Sequence, residues 1–123
     1  NMTGEDTKFV NASLEVNDLI EDVSKELKIP VRKENIACTE CFDPYLENVD
    51  LYLQQLPKDK NIIGSEMESF ALFYTAKMLN KKAACLLTVV DSIKKKQSLT
   101  AEDRQNSLND MIMLSLETAI KLT

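Results

Sequence analysis

The stretch "NIIGSEMESFALFYTAKMLNKKAACLLTVVDS", residues 61–92, decides the fold. "NIIGSE" reads as a short strand. "MESFALFYTAKMLN" predicts a helix, with Phe70, Leu72, Phe73, Ala76 and Leu79 spread around much of its girth, so it should be buried on more than one side. "KKAACLLTVVDS" turns at the lysines and continues as an uninterrupted apolar run. That pattern is the signature of a strand covered on both faces. Strand, helix and strand in succession belong to a layered α/β arrangement.

Upstream, residues 13–28, "SLEVNDLIEDVSKELK", place Val16, Leu19, Ile20, Val23 and Leu27 at the spacing of a one-sided helix. Ser13 is positioned as its N-cap, and Pro30 follows its end. "VRKENIACTE" predicts a strand, "FDPYLENVDLYLQQL" a turn and short helix, and "PKDKN" a surface loop. Downstream, "IKKKQSL" is a loop. Thr100 then caps a final helix running to about Leu122, with Glu102 and Asp103 in the first turn, where the helix dipole favours acids. The alternation of helices with three strands predicts an α/β fold with a largely parallel sheet, as a single domain over residues 1–123.

Composition narrows the chemistry. With 44% hydrophobic residues in 123, the chain can bury about two-thirds of its unfolded surface. The net charge of −5 argues against a nucleic-acid partner, which needs a basic face. "KKK" at 94–96 is the one basic cluster and reads as a solvated loop. No apolar run approaches the roughly 20 residues of a membrane span. "NMTGEDTKFV" holds no apolar signal core, so no secretory targeting is expected, and the sequons "NMT" and "NAS" read as chance.

Three cysteines fit a reducing compartment. "CTEC", Cys38 to Cys41, lacks a second pair, and the chain has no histidine with which to complete a tetrahedral zinc set. Its cysteines are read as small packing residues, and no metal is expected. The missing histidines also exclude Ser-His-Asp and Cys-His mechanisms. Chemistry here falls to carboxylates, arginine or main chain.

In α/β sheets the ligand crevice lies beyond the carboxyl ends of the strands. Asp91, directly after "LLTVV", either caps a turn or faces that crevice. Glu66 and Glu68 close the neighbouring strand, where Glu68 either sits favourably at a helix N-terminus or binds a ligand. Arg104 is one of two arginines and falls within about 40° of Leu108, Met111 and Ser115 on the last helix, the expected inward stripe. An arginine there needs a carboxylate, and Asp91 is the natural partner, in a structural or a functional ion pair.

"GSEMESFALFYTAKMLNKKAACLLTVVDSI…LTAEDRQNSLNDMIMLSLE" resembles the C-terminal part of the bacterial-type, hexameric purine nucleoside phosphorylases. The pattern is an E-M-E before an apolar helix, an apolar strand ending in aspartate, then A-E-x-R-Q and N-D-M on the last helix. It runs from about residue 61 to 120 and continues more weakly back through "NIACTECF". The resemblance implies a three-layer fold whose central sheet is parallel or mixed, a cytoplasmic homo-oligomer, and phosphate as co-substrate without metal or other cofactor. It implies that Phe42 stacks near the purine, that Met67 lies against the ribose and offers its N–H, and that Glu68 accepts from the 2′ and 3′ hydroxyls with Glu66 in support. An ionised carboxylate can accept from two adjacent hydroxyls at once. Asp91 would protonate purine N7, and Arg104 would swing in beside it.

That assignment is chemically coherent. Phosphorolysis breaks the C1′–N9 bond through an oxocarbenium-like state and leaves negative charge on the purine, which a proton on N7 neutralises. Burial disfavours an ionised carboxylate, whereas a guanidinium favours it, so an arginine arriving as the site closes would drive the proton onto the base. Two departures stand out. Val90 replaces the serine usual before the aspartate, which bears on base preference. The family's preceding half, with its phosphate-binding glycine and arginine residues, has no counterpart here, so the chain alone is expected to be inactive. A related nucleosidase, attacking with water, and a non-catalytic fragment of the same fold are the alternatives. The "AEDRQ…NDM" helix favours the phosphorylase, and a pyrimidine would offer Asp91 no N7.

Overall fold

The computed structural model describes residues 8–40, 47–92 and 97–123. They form two compact units, Asn1–Asn11 with Arg32–Ala83 and Ala12–Val31 with Ala84–Thr123. The protein is mixed α/β, with four helices and a small parallel sheet among the described residues.

In the first unit, β1 (Asn35–Cys38) and β2 (Ile62–Glu66) pair in parallel, and α2 (Val49–Gln55) lies between them in sequence. Parallel strands need such a crossover, because no tight turn brings the chain back in the same direction. The Asn48 side chain caps α2 by accepting from the Leu51 N–H at 2.9 Å, the role for which a short polar side chain is suited. "PKDKN", expected as loop, carries one 3₁₀ turn at Lys58–Lys60. The register places Ala37 opposite Ser65 and Cys38 opposite Glu66, so both strands finish together. α3 (Ser69–Met78) follows after only two residues. Asn80, at φ 52°, ends it in the left-handed region that asparagine tolerates, while the Lys81 N–H returns to the Ala76 carbonyl at 2.8 Å.

The second unit packs α1 (Leu14–Leu27) against α4 (Ala101–Leu122). The predicted face of α1 is the one that is used. Val16, Ile20 and Val23 are buried with Leu114 of α4, and Leu19, Leu27, Ile29, Val31, Ala84 and Leu86 pack around them. Val23 and Leu114 are each 1% exposed, worth about 1.5–3 kcal/mol apiece in apolar transfer. Ser13 occupies the N-cap position of α1 but makes no side-chain cap bond. Lys28 turns left-handed at the other end, and the Ile29 N–H reaches the Ser24 carbonyl at 2.9 Å before Pro30. Thr100 caps α4 as expected, accepting from the Asp103 N–H at 3.1 Å. Buried Thr118 satisfies its hydroxyl by donating to the Leu114 carbonyl, four residues back.

Three expectations need correction. Residues 83–90 form no strand: Ala84, Leu86, Thr88 and Val90 are half-buried, Leu87 is 48% exposed and Val89 76%. An apolar run reports what a segment is able to bury on both faces, and here one side alone is covered. In place of a third parallel strand there is a two-residue antiparallel pairing of β3 (Asp91–Ser92) with β4 (Gln97–Ser98). Helix α3 is likewise not enclosed, since Leu72, Met78 and Leu79 are exposed and its one buried residue is Ser69. The "KKK" cluster lies outside the described residues. Among the described residues, no helix is long and apolar enough to cross a membrane.

Candidate active site

The acids of "EMES" sit where β2 hands over to α3. Glu66 is the last strand residue and Ser69 the first helical one, so Met67 and Glu68 alone form the junction. The Glu66 carboxylate closes this turn from within. Its Oε2 accepts from the Glu68 N–H at 2.8 Å and the Ser69 N–H at 2.7 Å, and its Oε1 takes the Ser69 hydroxyl. These are the first orphan amides of α3, at the end of the helix where negative charge is favourable. Across the sheet, the Thr39 N–H donates to the Glu66 carbonyl at 2.8 Å. Partial burial works to raise the Glu66 pKa. The Ser69 hydroxyl, the two amides and the Cys38 thiol outweigh it and hold the carboxyl below its ordinary value. The partner thiol responds the other way: burial raises the Cys38 pKa, the Phe70 amide opposes this, and Glu66 and Glu68 add to it.

Glu68 holds the N-cap position of α3 yet makes no side-chain cap bond. Met67 and Glu68 are both exposed. Glu66 thus does the capping, and Glu68 presents its carboxylate at the surface. Sequence reading assigned the helix-end role to Glu68 as the alternative to ligand binding. The structure gives that role to Glu66.

The second group lies in the other unit. Arg104 Nη2 donates to Asp91 Oδ1 at 3.0 Å and to the Ser98 hydroxyl at 2.9 Å, while its Nε donates to the Leu99 carbonyl at 3.2 Å. Asp91 and Ser98 are opposed across the β3–β4 pairing, and the Leu99 N–H returns to the Val90 carbonyl at 2.9 Å. The short hairpin therefore delivers Asp91, Ser98 and Leu99 together to one guanidinium. The predicted partnership of Asp91 and Arg104 is present, but its setting differs from expectation. Their side chains are 51% and 44% exposed, so neither is dry. Arg104 is on the first turn of α4, whereas the buried stripe runs through Leu114 and Thr118, farther along. A half-exposed pair of this kind contributes only about 0–1 kcal/mol, so it organises the hairpin more than it stabilises it.

Glu66, Met67 and Glu68 are thus brought together in the first unit, and Val90, Asp91 and Arg104 in the second. Phe42 lies outside the described residues, as does Cys41 of "CTEC". Ser69 and Ser98 went unremarked in the sequence. Ser69 had a signal, a hydroxyl three residues after Glu66 at a strand–helix junction; Ser98, in a polar loop, had none. Among the described residues, no three of Cys, Asp and Glu converge as metal ligands.

No protein-family model matches the chain. Individual proteins do. The chain is 39% identical over 99 residues to the purine nucleoside phosphorylase DeoD-type 2 of Aliivibrio fischeri, covering 80% of this chain and 40% of that protein. It is 32% identical over 115 residues to the DeoD-type enzyme of Mycoplasma pneumoniae, covering 94% and 47%, and 37% identical over 99 residues to that of Levilactobacillus brevis, covering 80% and 40%. The chain is a homologue of the nucleoside phosphorylases. Within that class its relatives are DeoD-type purine nucleoside phosphorylases, as the E-M-E and the aspartate–arginine pattern implied. It spans less than half the length of these relatives.

Proposed function

We propose that this chain is the nucleoside-binding, C-terminal portion of a purine nucleoside phosphorylase. The complete enzyme converts a purine ribo- or deoxyribonucleoside and phosphate, reversibly, into free base and pentose 1-phosphate for purine salvage. The reading is carried by the 3.0 Å pair of Asp91 and Arg104 in a chain whose relatives bear that enzyme's name.

Phosphate oxygen attacks C1′, the C1′–N9 bond breaks, and its electron pair goes to the purine. Asp91 delivers a proton to N7, which neutralises the departing base; a positioned acid typically contributes ~10²–10⁴-fold. Arg104 holds the aspartate in place and favours the carboxylate left behind. Glu68 accepts from the ribose hydroxyls, with Met67 against the sugar, Glu66 in support, and Phe42 and Val90 at the base. Phosphate is a co-substrate, and no metal or cofactor enters any step.

The exposed apolar residues of α3, of the 83–90 segment and of α4 (Ile112, Met113, Leu116 and Ile120) support a place for this chain within a larger three-layer fold. Apolar surface of this extent is normally covered by protein. We assign the enzyme to the cytoplasm, as a homo-oligomer with no nucleic-acid or membrane partner.

The test is hypoxanthine release from inosine by the native polypeptide that carries this sequence, with and without phosphate. Release that requires phosphate and yields ribose 1-phosphate is expected. Release at equal rate in its absence makes the protein a nucleosidase, and no binding of inosine even at millimolar concentration makes it non-catalytic.

A further inference from the structure

The β2–α3 junction contains a device that the reaction scheme does not use. An N-cap residue ordinarily spends its own side chain on the first helical amides. Glu68 occupies that position in α3 and makes no such bond. The amides are taken by Glu66, two residues earlier, whose Oε2 receives both the Glu68 and the Ser69 N–H. A carboxylate held on one oxygen alone is still free to swivel. Here the other oxygen is fixed by the Ser69 hydroxyl. Ser69 is 9% exposed and the one buried residue of α3, so its hydroxyl has little access to water that could replace Glu66.

We propose that Ser69 is a positioning residue: its hydroxyl and amide lock Glu66 as the cap of α3, which keeps the Glu68 carboxylate free and aimed for the sugar. The lock itself is a matter of geometry; its purpose rests on the reading of Glu68 as the ribose acid. Remove the hydroxyl and Oε1 loses the Ser69 donor. Glu66 then relaxes, and Glu68 competes for the vacated amides, becoming a cap instead of a ligand. Both carboxylates belong to the same strand–helix junction, and the Ser69 hydroxyl is bonded to Glu66.

The experiment compares the full chain with Ser69→Ala and Ser69→Thr in two measurements. The first is the ¹³C-detected titration of the Glu66 side chain. Ser69→Ala should move its midpoint up toward an ordinary glutamate, and Ser69→Thr, which keeps the hydroxyl, should restore it. An unmoved midpoint in Ser69→Ala overturns the lock. The second is the affinity for inosine against that for hypoxanthine, which has no sugar. Ser69→Ala should weaken inosine about three- to tenfold and leave hypoxanthine unchanged, as loss of one charge-assisted hydrogen bond partly transmitted to Glu68 requires. Equal weakening of both overturns the positioning role and leaves Ser69 purely structural. If the unsubstituted chain binds neither, the nucleoside reading of Glu68 fails, while the Glu66 titration still decides whether Ser69 holds the lock.

Discussion

Arg104 reaches Asp91 across thirteen residues of sequence, and the same Nη2 that meets Oδ1 at 3.0 Å also meets the Ser98 hydroxyl at 2.9 Å. The guanidinium is held on three sides, because Nε also donates to the Leu99 carbonyl. Under the proposed function, Arg104→Ala should therefore lower kcat of the complete enzyme about tenfold or more, with a smaller change in nucleoside affinity. Single-turnover kinetics beside equilibrium binding separate the two effects, and equal losses in both would contradict the assignment. Arg104→Lys should not restore the rate, since an ammonium cannot reproduce the fork that spans Asp91, Ser98 and Leu99.

The cap at Glu66 makes the junction sensitive to acid. Its pKa is depressed in the folded state, so the bound proton favours the unfolded chain. The carboxylate's contribution is complete above the ordinary glutamate range and disappears as pH falls through the lower, folded value. Glu66→Gln should be less stable than the original sequence at neutral pH, and the gap should close on acidification. A pH series of urea titrations measures this; a gap that persists undiminished below the folded midpoint excludes the cap as its source.

Cys38 should titrate the opposite way. Burial and the neighbouring acids raise its pKa, so the thiol is kept protonated and its contribution weakens as pH rises through the folded value. Because the thiolate is the reactive species, Cys38 should alkylate several-fold more slowly at pH 8 than a cysteine in an unfolded peptide. Mass-spectrometric mapping after iodoacetamide treatment reads this directly. Equal or faster labelling would falsify the assigned environment.

Leu114 is the α4 residue in the buried apolar cluster shared with α1. It is 1% exposed and meets Val16, Ile20 and Val23. Leu114→Ala should cost about 2–5 kcal/mol, from lost transfer energy plus the cavity left behind. Leu116→Ala, two residues on and 58% exposed, should change the stability of the isolated chain by no more than about 0.5 kcal/mol. Chemical denaturation of the two variants makes the comparison, and similar losses would refute the packing described.

What the sequence determined by itself is local. The spacing of Val16, Ile20 and Val23 chose the buried face of α1, because a 3.6-residue period admits one apolar stripe. Thr100 with Asp103 marked the start of α4, because a hydroxyl at that position satisfies an amide three residues on. The E-M-E at a strand–helix junction was legible for the same kind of reason, whereas the pairing of Asp91 with Arg104 was expected from a buried arginine and exists with both side chains half exposed. Tertiary structure decided the rest. Glu66 and Glu68 are the same residue type two positions apart, and only the folded junction, with its two amides, the Ser69 hydroxyl and the Cys38 thiol turned to Glu66, settled which acid caps α3. Apolar residues at 83–90 state a capacity for burial, but a strand exists only where neighbouring backbone supplies the ladder; residues 83–90 form no strand, and Leu87 and Val89 stay exposed. Exposure of Asp91 is likewise a property of its surroundings, since no side chain carries its solvent with it.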